Sequence, residues 1–263
     1  MTRTAIRTAW AGLAVACLLP LVLVACDGST RRERERAARA VAAHEAAAAD
    51  APYQSEVEEG VGAAVAILID TSGSMKERAP GDSRRKAEVA HDALEAMLDA
   101  TDAFIARRPD FPIKIGIYSF SSSVNTLRTI QPYDREAIKR VLANLPGPGG
   151  GTAIGDAMRE ARPDLYRAGT FRKYLLVVTD GENTNGRSPD DVAREIWGKS
   201  QGGVQTFFVA FDTNPQKFAF LKEAGGDVIG AGSGAELRTA LDGIYQGKIL
   251  AEAAGGEKEP GKK

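Results

Sequence analysis

A carboxylate and two hydroxyls at spacing two, in Asp70-Thr71-Ser72-Gly73-Ser74-Met75, follow directly on the apolar run Ala63 to Ile69. Gly73 lets the backbone turn, so three oxygens can converge on one point. Two more donors stand in comparable places: Thr152 after the loop Gly147-Pro148-Gly149-Gly150-Gly151, and Asp180 directly after Leu175-Leu176-Val177-Val178-Thr179. All five donors are oxygen and carry two negative charges at most. That inventory suits Mg2+ keeping several waters, with Mn2+ or Ca2+ as substitutes, rather than zinc or a carboxylate-rich calcium cage. The two cysteines, Cys17 and Cys26, are too few for a disulfide framework or a thiolate zinc site, and the two histidines, His44 and His91, cannot build a His-rich centre.

These residues need elements to hold them. From Gly62 apolar runs alternate with amphipathic stretches, the pattern of an α/β domain with a largely parallel sheet. Strands are predicted over Ala63 to Ile69, Ile113 to Phe120, Val124 to Ile130, Tyr174 to Val178, Val204 to Ala210 and Asp227 to Ile229. Helices are predicted over Arg84 to Arg107, Arg135 to Asn144, Ala153 to Arg167, Pro189 to Lys199, Pro215 to Glu223 and Ala235 to Leu250. In the first helix Ala87, Ala90, Leu94, Met97, Thr101 and Ile105 recur every three or four residues and form the face on the sheet, with His91 at its margin. The third strand follows the second too closely for a crossover helix, so these two form an antiparallel pair. In a parallel α/β sheet ligands bind at the carboxyl ends of the strands, where Asp70 and Asp180 fall.

Each fragment alone has a plainer reading. Asp-x-Ser-x-Ser also describes a turn rich in capping residues, and Thr152 also suits a helix N-cap. The glycines Gly149, Gly151 and Gly155 are a weak nucleotide-loop signal, because no buried strand immediately precedes them and no P-loop lysine follows. A haloacid dehalogenase type of phosphotransferase needs a second acidic residue where Ser72 stands. Ser72 or Ser74 as a hydrolase nucleophile lacks the G-x-S-x-G elbow, and His91 lies early in the first helix rather than after the last strand. No general base remains, so the expectation is a recognition element and no catalysis.

Taken in order, Asp-Thr-Ser-Gly-Ser-Met after a buried strand, a Gly-Gly-Gly-Thr loop and a Val-Val-Thr-Asp-Gly strand end resemble the metal-ion-dependent adhesion site of von Willebrand factor type A domains. The likeness runs from about Gly62 to Leu250. It implies a Rossmann-like three-layer α/β/α fold with a six-stranded, mostly parallel sheet and one antiparallel edge strand. It further implies direct metal ligation by Ser72 and Ser74, ligation by Thr152 directly or through water, and Asp70 and Asp180 acting mainly through water and by orienting hydroxyls. A partner protein's Asp or Glu would complete the metal's shell. A magnesium-dependent phosphohydrolase and a scaffold with an empty site are the alternatives.

The start of the chain points to export. Between Arg7 and Asp27 there is no ionisable side chain apart from the two thiols, and Arg3 and Arg7 precede an apolar stretch from Ala9 to Ala25. Leu23-Val24-Ala25-Cys26 resembles the lipobox of bacterial lipoproteins, in which the chain is cut before the cysteine and the cysteine is acylated with fatty acids such as palmitate. The expected organisation is a signal peptide over 1–25, a lipidated Cys26 with an Arg- and Ala-rich helical spacer to residue 61, the domain over 62–250 and a disordered tail over 251–263. The domain would then face outward from the cell membrane on a lipid anchor. Asp27 resembles the signal for retention on the inner membrane of a Gram-negative cell. Over 263 residues 34 basic side chains meet 35 acidic ones, a net charge of −1, which excludes a field-driven nucleic-acid binder.

Overall fold

The computed structural model describes residues 59–251. The readings for the signal peptide, for Cys26 and the spacer up to residue 58, and for the tail from residue 252 lie outside the described residues. β1 spans Gly60–Asp70 and a 3-10 turn Gly73–Lys76 follows it; then come α1 (Lys86–Arg107), β2 (Ile113–Phe120), β3 (Val124–Pro132), α2 (Arg135–Leu142), α3 (Ile154–Tyr166) and β4 (Thr170–Thr179). The second half runs α4 (Pro189–Lys199), β5 (Val204–Phe211), a 3-10 segment Pro215–Lys222, β6 (Asp227–Ala231), α5 (Gly234–Ile244) and a π-helical continuation Tyr245–Leu250.

The six strands lie in the order β3-β2-β1-β4-β5-β6. All neighbours are parallel except β2 and β3, which pair antiparallel and put the one reversed strand at the edge. β1 is central, and its residues from Ala63 to Ile69 are buried on both faces. Such a strand reads as a continuous apolar run because helices cover both sides of the sheet. Val65, Ile67 and Ile69 face α1, α2 and α5, while Ala64, Ala66 and Leu68 face α3, α4 and the Pro215–Lys222 segment. The result is the three-layer α/β/α arrangement.

Several boundaries differ from the sequence reading. α1 begins at Lys86 rather than Arg84, because Arg84 and Arg85 close a short return: Ala79 N–H donates to the Arg84 carbonyl and Lys86 N–H to the Glu77 carbonyl. Its buried face is wider than predicted and adds Val89, Ala93, Leu98 and Phe104, leaving Ala87 and Ile105 at the margin. His91 is partly exposed, with Nδ1 3.6 Å from Asp92 Oδ1. Pro215–Lys222 is a kinked 3-10 segment with Phe218 off helical geometry. The long final helix changes to π winding at Tyr245, whose buried hydroxyl lies 2.7 Å from Thr101 Oγ1 on α1. Among the described residues no helix is long and apolar enough to cross a membrane.

The Tyr245 hydroxyl joins α5 to α1 across the core, and Thr101 retains its bond to the Met97 carbonyl when Tyr245 is gone. Tyr245→Phe is therefore expected to lower stability by about 1 kcal/mol, a modest fall in melting temperature on calorimetry, without altering the fold.

Candidate metal centre

The carboxyl ends of β1 and β4 lie side by side because the parallel register pairs Ile69 with Val178. That register carries Asp70 to Thr179. Asp70 is 1% exposed; its Oδ1 accepts the Ser72 N–H at 2.7 Å and its Oδ2 accepts the Thr179 hydroxyl at 2.6 Å. Ser72 and Ser74 Oγ are 3.1 Å apart, and Ser74 donates to Asp180 Oδ1 at 2.6 Å. With that proton committed to Asp180, the Ser74 oxygen has only lone pairs left to offer.

Thr152 reaches the same place from the glycine loop. Gly73 N–H donates to the Gly150 carbonyl at 3.0 Å and Gly149 N–H to the Thr71 carbonyl at 2.8 Å, which laces this loop to the end of β1. Gly150 holds φ at +77°, and a β-carbon there would meet Ser122 Oγ at 2.6 Å, so both conformation and space call for glycine. On the other side Thr152 N–H donates to Thr184 Oγ1, and the Thr184 and Asn185 N–H groups donate to the Thr152 carbonyl. A β-carbon built on Gly181 would lie 3.9 Å from Ser74 Oγ and 3.9 Å from Thr152 Oγ1. The two hydroxyls thus flank one open spot that a side chain on residue 181 would intrude upon.

All five sequence-predicted oxygen residues meet here. Cys26, the sixth site prediction, lies outside the described residues. Three neighbours were missed. Lys86 Nζ lies 3.1 Å from Asp180 Oδ2, 3.0 Å from Glu77 Oε2 and 2.8 Å from Asp212 Oδ2, and its side chain is 4% exposed. Asp212 could have been found: it stands directly after β5, as Asp180 does after β4. Lys86 offered less, since a lysine at a helix start usually points to solvent.

Electrostatics favour a cation. Burial pushes the Asp70 carboxyl up to about 6, with the hydrogen bonds from Ser72 and Thr179 opposing and the Asp180 charge adding to the rise. Burial also disfavours the charge on Lys86, but its hydrogen bonds to Asp212, Glu77 and Asp180 outweigh that and hold the ammonium above the ordinary lysine range. Three carboxylates, Asp180, Asp212 and Glu77, thus crowd around a single ammonium, and Asp70 feels the charge of Asp180. Among the described residues no group of three or more His, Cys, Asp or Glu is placed to hold a metal ion unaided. The donor set fits a hard ion only through its hydroxyls and the waters such an ion keeps.

Residues 65–182, which include all five oxygen residues, match the family model of the von Willebrand factor type A domain. The chain has the three-layer fold of a von Willebrand factor type A domain. Solved structures share its fold: the PilB minor pilin from Streptococcus sanguinis superposes with a TM-score of 0.61 at 15% identity, covering 76% of this chain and 64% of the pilin. A von Willebrand factor type A protein from Catenulispora acidiphila gives a TM-score of 0.54 at 20% identity, over 75% of this chain and 44% of that one. By sequence the chain is 27% identical over 161 residues to the uncharacterized protein YwmC of Bacillus subtilis (strain 168), which is 56% of this chain and 66% of that relative. The chain thus spans just under two thirds of the relative's length.

The raised Asp70 group gives a signed pH dependence. The folded state holds its proton up to about pH 6, whereas the unfolded chain releases it near 3.8. In metal-free protein the ionised group is therefore a burden that is absent below pH 4, grows between pH 4 and 6 and reaches about 3 kcal/mol above that. Asp70→Asn in the presence of a chelator is expected to melt at or above the wild-type temperature at pH 7, with the gap closing at pH 4; thermal melts at the two pH values check this.

Proposed function

We propose that this von Willebrand factor type A domain captures a protein partner through a divalent metal ion, Mg2+ first and Mn2+ or Ca2+ as substitutes. Ser72 and Ser74 hold the ion directly, Thr152 holds it directly or through water, and Asp70 and Asp180 orient the hydroxyls and act through water. An Asp or Glu side chain of the partner completes the shell. The observation that carries this reading is the meeting of the Ser74 and Thr152 hydroxyls at the open spot beside Gly181, with Asp180 bound to Ser74 from behind. Neutral hydroxyls near the ion and carboxylates behind them leave the metal electrophilic, so a carboxylate arriving from outside gains a strong charge-assisted contact.

In this reading the domain is a binding module, and no side chain acts as a general base. It works on the outer side of the cell membrane, on the periplasmic face of the inner membrane in a Gram-negative cell. An acylated Cys26 anchors it there once residues 1–25 are removed. Two or more acyl chains give durable anchoring, because a single chain holds only marginally at about 0.8 kcal/mol per buried methylene.

Two outcomes are expected. Mg2+ raises the melting temperature of the wild-type protein, and solubilised membranes yield a bound partner with Mg2+ that a chelator or Asp70→Ala releases; capture undiminished by both treatments would overturn the reading. Cys26→Ser is expected to move the protein from the detergent phase to the aqueous phase on detergent partitioning, with loss of the lipid mass in an intact-protein spectrum.

A further inference from the structure

We propose that Lys86 acts as a fixed internal cation that weakens the site's hold on its metal and keeps Asp180 from becoming a stronger ligand. The inference rests on the metal reading of the site above. Asp180 is shared: Oδ1 accepts from Ser74 at 2.6 Å while Oδ2 faces the Lys86 ammonium at 3.1 Å. The ammonium therefore draws the carboxylate's charge away from the hydroxyl side and prevents Asp180 from swinging forward to offer both oxygens. A positive charge one carboxylate away from the Ser74 oxygen also repels a dication directly. The metal then keeps more of its charge for a carboxylate coming from a partner.

The structure holds this ammonium firmly. The Lys86 side chain is 4% exposed, and the turn from Glu77 to Lys86 is closed by the Lys86 N–H to Glu77 carbonyl bond, so the chain that supplies one counter-charge also fixes the lysine backbone. Asp212 supplies another from β5. It adopts φ of +50°, a left-handed conformation that non-glycine residues seldom take, and its N–H donates to the Ala231 carbonyl at 2.7 Å. Asp212 lies beyond the segment 65–182 matched to the family model, so the Lys86–Asp212 pair is not confined to that segment. By partly neutralising Lys86, Asp212 sets how strongly the ammonium opposes the metal.

Lys86 and Asp212 should therefore shift metal affinity in opposite directions. Mg2+ titration of the full chain in detergent, read by calorimetry and by melting temperature, tests this without any partner. Lys86→Met is expected to bind Mg2+ about tenfold more tightly, with a larger Mg2+-dependent rise in melting temperature, because the repelling charge is gone. Asp212→Asn, a milder change at a partly exposed position, is expected to weaken Mg2+ binding by about threefold, because the ammonium is less neutralised. The Lys86→Met, Asp212→Asn double variant restores the net charge and should return toward the wild-type affinity. Unchanged or weakened binding in a folded Lys86→Met protein overturns the proposal, as does unchanged or tightened binding in Asp212→Asn, which keeps the test decisive if the lysine variant fails to fold. A wild-type protein with no response to Mg2+ overturns the metal reading itself, whereas a responsive wild type with unmoved variants overturns only the role of Lys86.

Discussion

Asp70 ends the central strand inside the protein, and the way its two oxygens are satisfied governs the arrangement around it. One oxygen takes the Ser72 N–H and turns the chain out of β1; the other takes the Thr179 hydroxyl and ties that turn to the end of β4. A buried carboxylate without such partners would carry a large desolvation penalty. The parallel pairing of Ile69 with Val178 is what brings Thr179 within reach, and one residue further on it brings Asp180 to Ser74. Sheet register and site geometry are thus the same constraint seen at two scales.

The glycine loop depends on that turn. Its backbone is sewn to Thr71 and Gly73 on one side, while Thr152 is clamped by Thr184 and Asn185 on the other. Loops from three separate parts of the chain are therefore held by backbone hydrogen bonds, which are short-ranged and directional. Side-chain oxygens mounted on such a frame lose little conformational freedom on meeting an ion, which is the physical basis of a preformed site.

Charge completes the picture. Lys86 pairs with Asp180, with Glu77 and Asp212 around it, and in this way one ammonium partly offsets carboxylates drawn from three places in the sequence. Burial, with the Asp180 charge adding to it, makes the Asp70 carboxyl hold its proton to about pH 6. The hydroxyls nearest the open spot carry no charge of their own, so an ion bound there would meet the negative groups mainly at second hand. Such an environment favours exchangeable ligands over permanent ones.

The sequence by itself determined the alternation of strands and helices and the reversed edge strand, because these rest on local features: continuous apolar runs and a connection too short for a crossover; the five oxygen residues were proposed from the strand ends marked by Asp and Ser and from the glycine loop before Thr152. Departures came where a specific hydrogen bond outweighs the periodic pattern. The return from Ala79 to Arg84 delays the start of α1, and the Tyr245 to Thr101 contact sits where the last helix changes its winding. Lys86 and Asp212 were illegible as a pair because they are 126 residues apart, and nothing near either one announces the other. Only the tertiary structure decided that the cation at the start of the first helix would be spent on carboxylates at the ends of two other strands, since buried charges find their partners through the fold and not along the chain.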